Sequence, residues 1–252
     1  MAEVVLALEQ VEVRFGGLKA VDRISTALHR GERRAVIGPN GAGKTTLFNA
    51  ITGLLPPTAG RILFEGQDVT RMRPHRRAHR GMSRTFQITN LFQSLTVAQN
   101  MELALRGLRR RRFSMLGSSR LSGDEADRID AALRSSRLGH RLTASVRELS
   151  YGEQRQLELA MALVPGPKLL LLDEPAAGLS PSERGVVVEI IGALSRDFTV
   201  MLIEHDMDLV LNLVDSVTCL NNGQLLVEAK PADIRTNREV QDVYLGKARR
   251  HA

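Results

Sequence analysis

The sequence predicts an α/β fold in which a core of parallel strands is preceded by antiparallel strands and interrupted by a helical section. Three observations lead there. The stretch Gly38 to Thr46, GPNGAGKTT, follows the run Arg33-Arg34-Ala35-Val36-Ile37 and opens a helical pattern, so a strand, a glycine-rich loop and a helix come in succession. Lys168 to Leu172 and Thr199 to Ile203 are compact apolar runs of the kind that parallel sheets bury on both faces. Val4 to Arg14 and Ala20 to Leu28 instead alternate apolar and polar residues, the pattern of a half-exposed sheet.

Each element has a local reason. Arg33 to Ile37 reads as the strand entering the glycine-rich loop, and Thr46 to Leu54 as the helix leaving it, stopped around Gly53 and Pro56-Pro57. Thr58-Ala59-Gly60 turns into a strand over Arg61 to Phe64, and a shorter strand follows near Met82 to Phe86. From Ile88 to Val164 the spacing is mostly helical, with capping boxes at Thr96/Gln99 and Ser122/Glu125 and Leu95 placed as a hydrophobic staple. Between them Arg106 to Gly117 reads as an exposed basic link. Ser180-Pro181-Ser182-Glu183 combines an N-cap, a proline at the first helical position and a glutamate at the third, so a helix is expected to about Ser195. A helix from Met207, a strand near Val217, a turn at Asn221-Asn222-Gly223 and a strand over Gln224 to Val227 close the core. The expected organisation is one domain over residues 1–247. Its core comes from 1–87 and 165–230, its helical section from 88–164 and a helical tail from 231–247, with a basic end at 248–252.

Composition narrows the function classes. With 252 residues, 43% hydrophobic and 25% charged, the chain can bury a sizeable core. No stretch approaches the roughly 18 apolar residues of a membrane span, and no signal peptide is apparent, so a cytosolic chain is expected. The single Cys219 lies in an apolar run and reads as a core thiol, which excludes an internal disulfide. The net charge of +7 comes mainly from two arginine clusters: Arg71, Arg73, Arg76, Arg77, Arg80 and Arg84, then Arg106 and Arg109 to Arg112. Aromatics are only 4% and interleave with neither cluster, so nucleic acid is not expected as a partner. A solvated helix face, anionic lipid head groups and an acidic partner remain open.

The loop pattern G-x-x-x-x-G-K-[ST] carries the first chemistry. Glycines at 38, 41 and 43 let successive amides turn inward onto phosphate oxygens, with Asn40, Ala42 and Thr46 completing the loop. Lys44 adds charge at the β- and γ-phosphates, and the Thr45 hydroxyl suits a Mg²⁺ site. The helix that follows turns its positive end to the anion. Asp173 and Glu174 end a buried strand at the sheet edge where this loop lies. Asp173 can hold Mg²⁺ directly or through water, and Glu174 can orient or deprotonate the water that attacks the γ-phosphorus. His205, after the next buried strand, arrives at the same edge and can hydrogen-bond the γ-phosphate.

The phrase Leu149-Ser150-Tyr151-Gly152-Glu153-Gln154-Arg155-Gln156-Leu157-Glu158 resembles the signature of ATP-binding cassette (ABC) proteins, and the family's other elements stand in order along nearly the whole chain. Phe15 matches the aromatic that stacks on adenine. Gln87, after Arg84-Thr85-Phe86, matches the glutamine loop, which the family uses in catalysis and at Mg²⁺, and His205 matches the switch histidine. Details are similar to the ATP-binding subunits of branched-chain amino acid importers: Phe15-Gly16-Gly17-Leu18-Lys19-Ala20-Val21, Arg84-Thr85-Phe86-Gln87, Tyr151 inside the signature, Asp173-Glu174-Pro175-Ala176-Ala177-Gly178-Leu179, Glu204-His205-Asp206-Met207, and the ending Tyr244-Leu245-Gly246.

The resemblance implies a P-loop NTPase of the ABC type: a RecA-like core, an N-terminal antiparallel β subdomain and an inserted α-helical subdomain. It implies ATP and Mg²⁺, and a head-to-tail dimer with an identical or related second cassette. In that dimer Ser150 and Gly152, with Glu153 beside them, face a triphosphate held by the partner's loop. It also implies two permease subunits contacted through Gln87 and Ile88 to Ala104, a solute-binding protein reached through the permease, and a peripheral place on the cytoplasmic face of the membrane. Two departures stand out. Tyr151 and Glu153 replace the family's glycine and glutamine, and Ser180 replaces an aspartate in the loop after Glu174. Soluble ABC proteins of DNA repair or translation generally carry two cassettes or a long insert, whereas this chain has one cassette and neither insert. An importer of another small solute is the remaining alternative.

Overall fold

The computed structural model describes residues 3–85, 91–107 and 122–245. Strands β1 (Val4–Phe15), β2 (Leu18–His29), β4 (Ala59–Phe64) and β5 (Gln67–Asp68) form an antiparallel sheet in the order β2-β1-β4-β5. The second sheet contains β3 (Arg33–Ile37), β6 (Met82–Arg84), β7 (Leu169–Asp173), β8 (Thr199–Ile203), β9 (Ser216–Asn221) and β10 (Gln224–Ala229), ordered β10-β9-β3-β8-β7-β6. All its pairings are parallel except the closing hairpin β9/β10.

The apolar runs are buried end to end, and the two-residue period of a strand sorts their side chains between two cores. Val36, Leu169, Leu171, Met201 and Ile203 face the antiparallel sheet and helix α1 (Lys44–Thr52). Ala35, Leu170, Leu172, Val200 and Leu202 face helices on the other side, among them α5 (Tyr151–Leu163), α6 (Pro181–Gly192) and α7 (Met207–Leu213). A third cluster joins α3 (Val97–Arg106), α4 (Gly123–Ser135) and one face of α5, through Val97, Met101, Ile129, Leu133, Leu157 and Ala160. Helix α5 therefore serves two cores: Leu157 and Ala160 pack in the helical cluster, while Leu159, Ala162 and Leu163 pack against the main sheet. The chain ends in α8 (Pro231–Thr236) and α9 (Arg238–Leu245).

Boundaries shift for identifiable reasons. Helix α1 begins at Lys44, two residues before the apolar spacing indicated, because the glycine loop itself opens the helix, and it stops at Thr52 with Gly53 as its cap. Helix α6 stops at Gly192, short of Ser195. The expected strand near Met82 ends at Arg84, with Phe86 outside the described residues. The capping boxes at Thr96 and Ser122 both form. Two elements went unread in the sequence: the short β5, and α2 (Pro74–His79), which carries Arg76 and Arg77.

Arg77 corrects the surface reading of the first arginine cluster. Its side chain is 1% exposed, and its guanidinium donates to the carbonyls of Met72, Ala50, Ile51 and Thr70 at 2.9, 2.8, 2.5 and 2.9 Å. Two of these belong to the last turn of α1, where a cation opposes the negative helix end and satisfies carbonyls that lack helical partners. Burial pushes the Arg77 pKa down to about 10. A Cβ on Gly53 would come within 2.7 Å of Arg77 Nε, so the helix stop and the guanidinium fit each other. Replacing Arg77 with Met keeps the stem but takes this donor from the Met72, Ile51 and Thr70 carbonyls, while Ala50 keeps the Gly53 amide. The variant should lose about 2–4 kcal/mol in urea unfolding, and unchanged stability would show that water replaces the guanidinium without loss.

Candidate active site

A groove of about 570 Å³ opens at the carboxyl edge of the parallel sheet, where β3 feeds the glycine loop. Asn40 to Thr46 form its floor, Phe15, Leu18, Lys19 and Ala20 one wall, and Glu174 and His205 the far side. Phe15 is half exposed, at 52%. The floor is fixed by backbone. Gly38 and Gly43 have φ of +143° and +101°, and a Cβ on either would approach a carbonyl oxygen, Leu220 or Ala20, to 2.2 Å. Behind the loop, the Gly38 amide donates to the Tyr244 hydroxyl of α9 at 2.7 Å. Burial drives that phenol's pKa up to about 12.

Helix α1 starts from this loop with no side-chain cap and no acidic residue in its first turn. Helices α3, α4, α5 and α6 each close the same end with a capping box. The positive end of α1 is thus the one among these that is left to an anion, and the open space around Gly41 lets that anion approach the amides. The Lys44 ammonium, 6% exposed, folds back onto the Gly38 and Pro39 carbonyls at 2.8 and 3.0 Å, which keeps it on the floor.

Across the groove, His205 Nε2–H donates to Glu174 Oε1 at 2.6 Å. Glu174 has a positive φ of 48°, a conformation that turns it out of β7 at the sheet edge and costs about 1–2 kcal/mol in a non-glycine residue. Beneath it, the buried Glu204 accepts the Ala176 and His205 amides at 3.2 and 3.1 Å, joining the loop after β7 to the end of β8. Burial raises its pKa despite these bonds. Asp173 does not line the groove. It is 3% exposed and pairs with Arg84 at 2.7 Å, and the same guanidinium reaches Asn49 Oδ1 on α1 at 2.6 Å.

The signature residues are not brought to this groove. Ser150 is the N-cap of α5 and forms a capping box with Glu153. The Glu153 carboxylate accepts the Ser150 amide at 2.8 Å and pairs with Arg141 at 3.0 Å, so it is turned into its own helix end with its charge balanced. Tyr151 is equally engaged, its hydroxyl accepting from Arg155 at 3.0 Å. Gln87 lies outside the described residues, as do Arg109 to Arg112. Cys219 is buried, with its thiol pKa raised to about 11 by burial, a core residue as its sequence indicated.

The profile of the family described as "ABC transporter" matches residues 21–177. The chain belongs to the ABC transporter family. It is 38% identical to the high-affinity branched-chain amino acid transport ATP-binding protein LivG of Escherichia coli K12, across 98% of this chain and all of that one. Identity to the Pseudomonas aeruginosa protein BraF, described in the same terms, is 36% over the same shares. A crystal structure of the ADP conformation of an ATP-binding cassette of an ABC transporter superposes with a TM-score of 0.84 at 30% identity, covering 96% of this chain and 99% of that one. The RecA-like core with its antiparallel and helical additions is the ABC cassette fold, and the chain is a nucleotide-binding ATPase subunit of this family.

Sequence reading missed the buried partners of this ABC cassette. In the sequence Tyr244 stands in a terminal phrase, and Arg84 stands in the first arginine cluster and beside Gln87. The neighbours of each along the chain do not say what its side chain meets. Tyr244→Phe removes the acceptor of the Gly38 amide. It should destabilise the cassette by about 1–3 kcal/mol and weaken nucleotide binding several-fold, and calorimetric titration with ATP at wild-type affinity would show that the hydroxyl does not support the loop.

Proposed function

We propose that this ABC cassette hydrolyses ATP to power the import of branched-chain or other hydrophobic amino acids through separate permease subunits. The observation that carries the nucleotide half is the uncapped N-terminus of α1 on the groove floor, opposite the Glu174–His205 pair. The substrate half is supported by whole-length identity to relatives described as branched-chain amino acid transport ATP-binding proteins.

In this reading Gly38 to Thr46 take the phosphates, with Lys44 at the β- and γ-groups, and Phe15 stacks on the adenine. Glu174 orients or deprotonates the attacking water, while His205 holds the Glu174 carboxylate and meets the γ-phosphate. Mg²⁺ in such sites is bound through one or two protein groups together with the phosphates of the nucleotide. Thr45 lines the groove and fits as a ligand. Asp173, with one oxygen on Arg84, suits a water-mediated role, and Gln87 is the third group assigned to this ion. Bound Mg²⁺ would neutralise charge on the β- and γ-oxygens.

Ser150 and Gly152 complete the site of a second cassette, identical or related, in a head-to-tail dimer. Glu153 shapes the signature by holding the Ser150 amide and has no direct contact with nucleotide. Gln87 and Ile88 to Ala104 form the surface toward two permease subunits, which in turn receive a solute-binding protein. No helix among the described residues is long and apolar enough to cross a membrane. Attachment to the cytoplasmic face through those permeases is part of this reading.

Glu174→Gln should bind ATP with near wild-type affinity and slow its hydrolysis by about 10²–10⁴-fold; phosphate release at the normal rate would remove Glu174 from its role. A strain lacking this subunit should lose uptake of labelled leucine. Uptake at the parental level would remove that substrate while leaving the ATPase reading in place.

A further inference from the structure

The N-terminus of α5 is closed by a residue that belongs to another helix. Gly152, the second residue of α5, donates its amide to Glu183 Oε1 at 3.1 Å, and a Cβ on Gly152 would come within 2.6 Å of that oxygen. Glu183 lies in the first turn of α6. Its Oε2 accepts the Ser180 amide at 3.1 Å and the Ser180 hydroxyl at 2.7 Å. One carboxylate therefore closes two helix starts, with one oxygen on each. All three donors are neutral. Hydrogen bonding from the Ser180 side chain and amide holds the carboxyl below the usual range, so at neutral pH it is an anion.

We propose that Glu183 is a positioning residue that occupies the signature amide as an internal anion until the γ-phosphate held by a second cassette takes its place. The proposal rests on the reading that Ser150 and Gly152 face that phosphate. An amide at a helix N-terminus favours one anion, and two like charges on the same donor repel, so carboxylate and phosphate compete for Gly152. The bridge gives the exchange a consequence. When Oε1 leaves Gly152, Oε2 still holds Ser180, the cap at the end of the loop that begins with Glu174. Occupation of one chain's signature thus alters what restrains the loop carrying that chain's own Glu174. The serine at position 180 is part of this device, since its hydroxyl donates to Glu183, which an ionised aspartate at that position could not do.

The test uses the transporter assembled with its permease and partner cassette, and reads kcat and KM for ATP in Glu183→Gln, Glu183→Ala and Ser150→Ala. Removal of the competing charge should lower KM for ATP about three- to tenfold in both Glu183 variants. Glutamine still accepts hydrogen bonds, so a residue that merely caps two helices would leave Glu183→Gln at the wild-type KM and move only alanine. That result, or a raised KM in either variant, overturns the proposal. Ser150→Ala separates the two levels. If it loses kcat/KM while Glu183→Gln is unchanged, only the role of Glu183 fails; if it keeps wild-type kcat/KM, the phosphate-facing signature fails and Glu183 with it.

Discussion

The structure depends on how closely the glycine loop is pressed between its neighbours. Gly43 lies against the Ala20 carbonyl of β2, and Gly38 against the Leu220 carbonyl of β9, each too near for any side chain. The turn between β9 and β10 completes the clamp. Gly223 donates to the Ala42 carbonyl at 3.0 Å and accepts from the Asp22 amide of β2 at 2.7 Å. Two sheets of different type are thereby joined at the site itself. Phe15 and Lys19 on the antiparallel sheet stand over a floor built on the parallel one because of this clamp. The floor of the groove is therefore fixed first by backbone packing.

Guanidinium groups extend this order below the floor. Arg84 joins β6 to the end of β7 through Asp173 and to α1 through Asn49, while Arg77 holds the far end of α1 by carbonyls alone. A buried ion pair such as Arg84–Asp173 contributes little net stability, because desolvation offsets most of the attraction, yet breaking it strands a charge. Its value is geometric. The pair fixes where the β7 strand ends relative to the helix that carries Lys44, which sets the span between the phosphate floor and Glu174. The planar fork of arginine holds its acceptors in a fixed relative geometry, which the rotating ammonium of lysine does not.

Much of this was legible in the sequence because the signals were local. Glycine spacing, capping boxes and apolar runs each specify backbone within a few residues, and the fold class, the loop and the helix starts at Thr96, Ser122 and Ser180 followed from them. What stayed hidden is long-range. Arg77 and Arg84 looked like members of a surface cluster, since a run of arginines carries no sign of which one turns inward. Tyr244 meets Gly38 across more than two hundred residues of chain, and Glu183 meets Gly152 across two helices. The same S-x-x-E pattern that announces α6 gave no hint that one of its oxygens serves α5. Glu153 illustrates the converse: its position in the signature suggested contact with nucleotide, whereas its capping box, readable from Ser150-x-x-Glu153, already turned it back into its helix.

Helices α1 and α5 show how one physical rule gives two behaviours. Both present N-terminal amides at places where phosphate is expected, and both gain from an anion there. Helix α1 has none of its own, so its first amides are open to a phosphate. Helix α5 is already satisfied by Glu153 and Glu183, so a phosphate from a partner must do more than arrive. In the proposed exchange it displaces a carboxylate whose second oxygen is tied to the loop that carries Glu174. An ATPase whose hydrolysis is to be coupled to another event should not close its site freely whenever ATP is present. An anion that must first give way makes closure depend on the energy of a properly docked partner. On the proposed reading the asymmetry between the two helix starts belongs to the coupling: the open end receives the nucleotide of its own chain, and the closed end sets how strongly that nucleotide can draw a second chain in.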